Sequence, residues 1–157
     1  MNARQAGSCL AIIFVLAGIA AADPIQRGIR NPELVISDEY GAVLGTLALH
    51  DGRFDYVFVH SIHLTLVEEL FHVDEADKLH LFELRYESSG VGMPADAEGG
   101  YRLEDGRFIL DMDRTFDKIP LFVSIVPGHG ISAGGKFHPF TEWAEPEDIL
   151  IITARAH

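Results

Sequence analysis

From Glu33 to the C-terminus the apolar residues come in short runs, and turn signals interrupt them about every ten residues. No stretch sustains the 3.6-residue period of a core-facing helix. Parallel strands need crossovers of about a dozen residues or more, which a chain broken this often does not supply, so neighbouring runs must pair antiparallel. The runs are Leu34 to Ile36, Val43 to Leu49, Phe54 to His60, Val67 to Val73, Leu79 to Tyr86, Tyr101 to Leu103, Phe108 to Leu110, Leu121 to Val126 and Ile149 to Thr153. Asp51-Gly52, Gly99-Gly100, Asp105-Gly106, Pro127-Gly128-His129-Gly130 and Gly134-Gly135 separate them, where glycine supplies the positive φ of tight turns. Two short helical candidates remain, Arg114 to Lys118 before Pro120 and Thr141 to Ala144 before Pro146. The expected fold is all-β: a single small antiparallel β-sandwich or partly closed barrel of about 8–9 short strands over residues 33–157. A linker at 23–32 and an N-terminal signal peptide precede it.

That leader, residues 1–22, carries Arg4 ahead of an uncharged stretch from Cys9 to Ala22 and ends Ala20-Ala21-Ala22 before Asp23-Pro24. Its apolar stretch of about 14 residues is shorter than the ~20 that cross a bilayer as a helix, so cleavage after Ala22 is expected. The mature protein is then exported, to the periplasm or another extracytoplasmic space. Cys9 is the sole cysteine and leaves with the leader, so no disulfide supports the mature domain. Core burial must suffice, and at roughly 135 residues it removes about two-thirds of the unfolded chain's surface. The full chain sets 24 carboxylates against 12 Lys and Arg, a formal net charge of −12. Such a surface repels phosphate backbones and anionic lipid heads. Nucleic acid is excluded as a partner, and membrane contact is expected only through a membrane protein.

Alternation is clearest from Phe54 to His60, where Phe54, Tyr56, Phe58 and His60 share one face. In the next run Val67, Glu69, Phe71 and Val73 share a face, which turns Glu69 toward the apolar side. Pairing Tyr56 with Val73 and Phe58 with Phe71 buries each apolar pair and sets His60 opposite Glu69. For Leu79 to Tyr86 the even positions, His80, Phe82, Leu84 and Tyr86, are expected inward because they bury more apolar surface. The odd register would align His60, Glu69 and Glu83 across three strands.

His60 and Glu69, placed opposite one another, could hydrogen-bond or share a ligand. The plainer reading is a structural pair, since a buried carboxylate needs a partner in any case. Eight histidines in an exported chain leave a divalent metal open as the one cofactor, because imidazole and carboxylate suit zinc or copper. Their spacing matches no metal motif, and scattered surface histidines are the simpler account. The run Asp111-Met112-Asp113 begins like a calcium loop, but Phe116 and Phe122 stand where glycine and glutamate are required. Ser61 lies on the face opposite His60 in an extended strand, which rules out a dyad between them. Gly90-Val91-Gly92-Met93-Pro94 could form a small anion nest, though a turn explains the same glycines.

His60-Ser61-Ile62, Val67-Glu68-Glu69 and Gly90-Val91-Gly92-Met93-Pro94 resemble, in order and spacing, the "HSV…VEE…GAGMP" signature of the family called domain of unknown function 1850. Glu83 falls where that family tends to carry an acidic residue, while Ile62 and Val91 depart from its usual residues. The family consists of small exported proteins commonly encoded beside TAXI-type TRAP transporters, and it has no established activity to carry over. The resemblance therefore implies an exported, non-enzymatic accessory protein of a TAXI-type TRAP solute uptake system. Its partner would be the TRAP permease or the TAXI solute receptor. The residues carrying that reading are His60, Ser61, Glu68, Glu69, Glu83, Gly90, Gly92, Met93 and Pro94, with none assigned as catalytic. The competing classes are a metal-assisted extracytoplasmic enzyme using His60, Glu69 and Glu83, and a free-standing small-ligand or ion-binding module.

Overall fold

The computed structural model describes residues 31–87 and 99–156. The expected leader, nearly all of the linker, and the Gly90 to Pro94 turn with Ser88 and Ser89 before it lie outside those residues. The described strands are β1 (Glu33–Asp38), β2 (Val43–Ala48), β3 (Arg53–Val59), β4 (Leu66–Val73), β5 (Leu79–Tyr86), β6 (Tyr101–Glu104), β7 (Arg107–Phe116), β8 (Ile119–Phe122), β9 (Gly130–Ala133), β10 (Lys136–Pro139) and β11 (Ile149–Arg155). Every pairing between them is antiparallel, as the short connections require. They form a four-stranded sheet in the order β2-β1-β11-β8 and a seven-stranded sheet in the order β10-β9-β3-β4-β5-β7-β6. The result is a β-sandwich, and neither sheet closes into a barrel. No helix among the described residues is long and apolar enough to cross a membrane.

Leu34, Ile36, Leu121, Leu150 and Ile152 of the smaller sheet meet Phe54, Val67, Phe71, Leu79, Leu84, Leu110 and Ile131 of the larger in one buried cluster. Both helical candidates are corrected. Arg114 to Phe116 continue β7, whose alternation carries Phe116 back onto the core cluster. The second shrinks to a 3-10 turn at Phe140–Glu142 that drives Phe140 fully into the core. The hairpin of β9 and β10 was not among the expected runs. Its turn, Gly134-Gly135, takes the positive φ foreseen there. At its far end Gly130 packs so closely that a Cβ would lie 2.3 Å from the His138 carbonyl oxygen.

The β3–β4 register differs from the expected one by four residues. Phe54 faces Phe71, Tyr56 faces Glu69 and Phe58 faces Val67. A shift of four preserves every face and changes every partner. The observed register stacks the Phe54 and Phe71 rings at 5.1 Å and 5°, both nearly inaccessible to water. It also closes the hairpin with a tight turn, in which the His60 N–H donates to the Thr65 carbonyl and the Leu64 N–H to the His60 carbonyl. The longer loop of the other register would order more chain for fewer ladder bonds.

Neither parity expected for β5 holds throughout. Leu79 and Leu81 are buried, and so are Leu84 and Tyr86. A bulge at Phe82 reconciles them, since the register slips at this point against both β4 and β7. One extra residue moves the second half of the strand out of period with the first, so four large apolar side chains reach the core. His80 and Phe82, expected inward, instead lie on the outer face beside His72.

Candidate functional site

Tyr56, Glu69 and His129 are polar groups set into the apolar face of the larger sheet. Tyr56 and Glu69 come from opposed positions on β3 and β4. His129 enters from the loop before β9, and the residue is 7% exposed. The Ser124 N–H donates to His129 Nδ1 at 2.8 Å, so that nitrogen carries a lone pair and the neutral ring bears its proton on Nε2. Nε2 lies 2.8 Å from the Tyr56 hydroxyl, which therefore accepts from it. Glu69 occupies the β4 position opposite Tyr56.

Burial governs the protonation of all three. It pushes the Glu69 carboxyl up to about 7, against a smaller downward pull from the Arg114 guanidinium. It pushes the His129 imidazole down to about 4, so the ring is neutral where the tautomer argument needs it. The Tyr56 hydroxyl is raised, first by burial and then by the negative charge of Glu69. The set can hold a proton near neutrality at Glu69, on the strand position opposite Tyr56. His129 also lines a cavity of about 240 Å³ together with Val123, Ile125, Pro127, Thr141 and Pro146.

The other expected residues are dispersed. His60 is not Glu69's neighbour: it falls just past β3, where its N–H pairs with the Thr65 carbonyl, four residues before Glu69 and thus about 13 Å away along the strand. Its role there is local, because Nδ1 accepts from the Ile62 and His63 N–H groups at 3.3 and 3.4 Å and folds the turn around the ring. Ser61 is exposed in that turn, and the apolar side chains of Ile62 and Leu64 stand 66% and 70% exposed. Glu68 and Glu83 occupy the outer face, opposite to Glu69. Glu68 pairs with Arg107, and Glu83 is gripped by Arg85 at 2.5 Å and Arg102 at 2.8 Å. The row of His60, Glu69 and Glu83 therefore does not form. Among the described residues no three His, Cys, Asp or Glu side chains converge as a metal-binding group. Gly90, Gly92, Met93 and Pro94 lie outside the described residues.

A family model, that of a domain of unknown function (DUF1850), matches residues 54–140, from the start of the Phe54 stripe to the buried Phe140. The chain belongs to that family. Comparison with curated proteins and with solved structures returned no match. The matched region of this DUF1850 protein includes Tyr56, Glu69, His129 and the whole His60 turn, whereas β1, β2 and β11 of the smaller sheet lie outside it.

His129 is the residue that sequence reasoning passed over, counting it among scattered surface histidines. One signal did point to it. A tyrosine in the middle of an apolar stripe needs a hydrogen-bond partner for its hydroxyl once buried. A histidine held between Gly128 and Gly130 is well placed to approach that closely.

Proposed function

We propose that this DUF1850 protein is an exported, non-enzymatic accessory of a TAXI-type TRAP solute uptake system, working through contact with the permease or the solute receptor. Family membership over residues 54–140 carries the reading, together with the leader that would expose Asp23 as the mature N-terminus. Under this reading the His60-Ser61-Ile62 motif is a contact element. His60 spends its ring nitrogen on the turn's own N–H groups, and the fixed turn holds Ile62 and Leu64 outward. Apolar side chains held rigidly at a hairpin tip favour a protein partner, because little further entropy is lost on docking. The Tyr56, Glu69 and His129 set stiffens the strand behind that tip.

The cavity beside His129 favours a second reading, a module that binds a small ligand. The metal-assisted enzyme loses its proposed centre, since His60, Glu69 and Glu83 lie on different parts of the sheet. Uptake measurements decide between accessory and free-standing binder. Deleting the gene should abolish or sharply reduce solute uptake by the TRAP system encoded with it, and restoring the wild-type gene should recover it. An Ile62→Asp, Leu64→Asp variant that melts like the wild type should fail to restore uptake, while Lys136→Ala should restore it fully. Undiminished uptake in the deletion strain would overturn the accessory role.

A further inference from the structure

On the outer face of the larger sheet, away from Tyr56 and Glu69, β4 and β5 place His72 directly opposite His80. The rings meet edge to face with centroids 4.6 Å apart. Their two Nδ1 atoms approach to 3.4 Å. The two nitrogens share one long hydrogen bond at that distance. The other nitrogen of His80, Nε2, lies 2.7 Å from Asp113 Oδ1 on β7. A carboxylate only accepts, so Nε2 bears a proton, and in the neutral ring the His80 lone pair is on Nδ1 and aimed at His72.

We propose that His72 and His80 form a two-imidazole site for a divalent transition-metal ion of the copper and zinc class. Each ligates through Nδ1, Asp113 acts as the positioning residue for His80, and water fills the remaining coordination positions. The spacing carries the assignment. A tetrahedral ion with metal–nitrogen bonds of about 2.1 Å separates two ligand nitrogens by about 3.4 Å. The Asp113 carboxylate holding the far nitrogen of His80 is the outer-shell arrangement that fixes tautomer and ring angle in metal-binding histidines. On binding, the His72 proton moves from Nδ1 to Nε2 by exchange with solvent and the freed Nδ1 lone pair turns to the ion, so the site takes up the cation with no net proton loss.

The surroundings are mixed in charge. The Arg53 guanidinium lies over the neighbouring Phe82 ring at 5.5 Å and opposes a cation. Asp113, Asp74 just past β4, and the net charge of −12 favour one. With imidazole as the only protein ligand, copper should bind more tightly than zinc, and magnesium and calcium should not compete.

Untagged mature protein titrated with copper sulfate should bind one saturable equivalent, with an electron paramagnetic resonance spectrum showing two coordinating imidazole nitrogens. His72→Ala and His80→Ala should each abolish that signature. Asp113→Asn should weaken binding by about tenfold or more while leaving the melting temperature near that of the wild type. His50→Ala and His138→Ala should change nothing. A readout on the wild-type chain removes dependence on how the variants fold: added zinc should shift the imidazole nitrogen resonances of His72 and His80 and of no other histidine. The proposal is overturned if neither ion binds, if either alanine variant binds copper as the wild type does, or if zinc shifts other histidines instead.

Discussion

Replacing Phe71 by alanine should lower the stability of the domain by about 3 to 5 kcal/mol, a large part of what a domain of this size has available. Phe71 is 1% exposed and its ring is stacked on Phe54, which is 2% exposed. Its other edge meets Phe116 at 6.2 Å. Removing it leaves a cavity bounded by rings from β3 and β7, and the antiparallel ladders on both sides of β4 prevent the backbone from collapsing into the space. Urea denaturation checks the figure, with the midpoint falling and the slope unchanged. A loss under about 1 kcal/mol would mean that the Phe54–Phe71 stack is not the centre of the core, and the observed register would lose its main physical reason.

Changing Glu69 to glutamine should reshape the pH dependence of stability. The Glu69 carboxyl titrates at about 7 in the folded chain against an ordinary 4.5. A group raised in this way contributes its stability below pH 4.5, and that contribution is lost as pH rises through 7. His129 works in the opposite sense. Its pKa is depressed from 6.5 to about 4, so its contribution is present above pH 6.5 and is lost as pH falls through 4. Between those limits the two slopes oppose each other and the wild type should be nearly flat from this pair. Glu69→Gln removes one of them. Its stability relative to wild type should be near zero below pH 4.5 and should rise to a gain of about 3 kcal/mol above pH 7. Parallel curves for variant and wild type from pH 4 to 8 would show that Glu69 is not buried in its charged form.

The two-residue period of Phe54 to His60 and of Val67 to Val73 was enough to assign the inward faces of the central hairpin, including that of Glu69. Face assignment needs only parity, which the side chains reveal. Register needs the relative position of two strands, and two pairings four residues apart satisfy the same parity. What separated them was the ring stack of Phe54 on Phe71 and the turn closed by His60, and neither is visible as a pattern in one strand. The same limit explains β5: a single parity is expected for the whole run from Leu79 to Tyr86, whereas a bulge at Phe82 divides it. The hairpin of β9 and β10 leaves no clear apolar run in the sequence because its strands are four residues each and Phe137 is exposed. The polar site was half legible. Glu69 declared itself by breaking an apolar face, but Tyr56 could be matched to His129 only once the chain between β8 and β9 was placed.

The accessory role stands or falls on what the His60 turn touches in the cell. A photo-crosslinking amino acid placed at Ile62, in the natural host with its own transporter present, should on illumination join this protein to the TRAP permease or the TAXI solute receptor, identified by mass spectrometry. The same group at Lys136, on the β10 hairpin, should give no such product. Crosslinks from position 62 that never include either transporter component, in cells where both are present, would contradict the account.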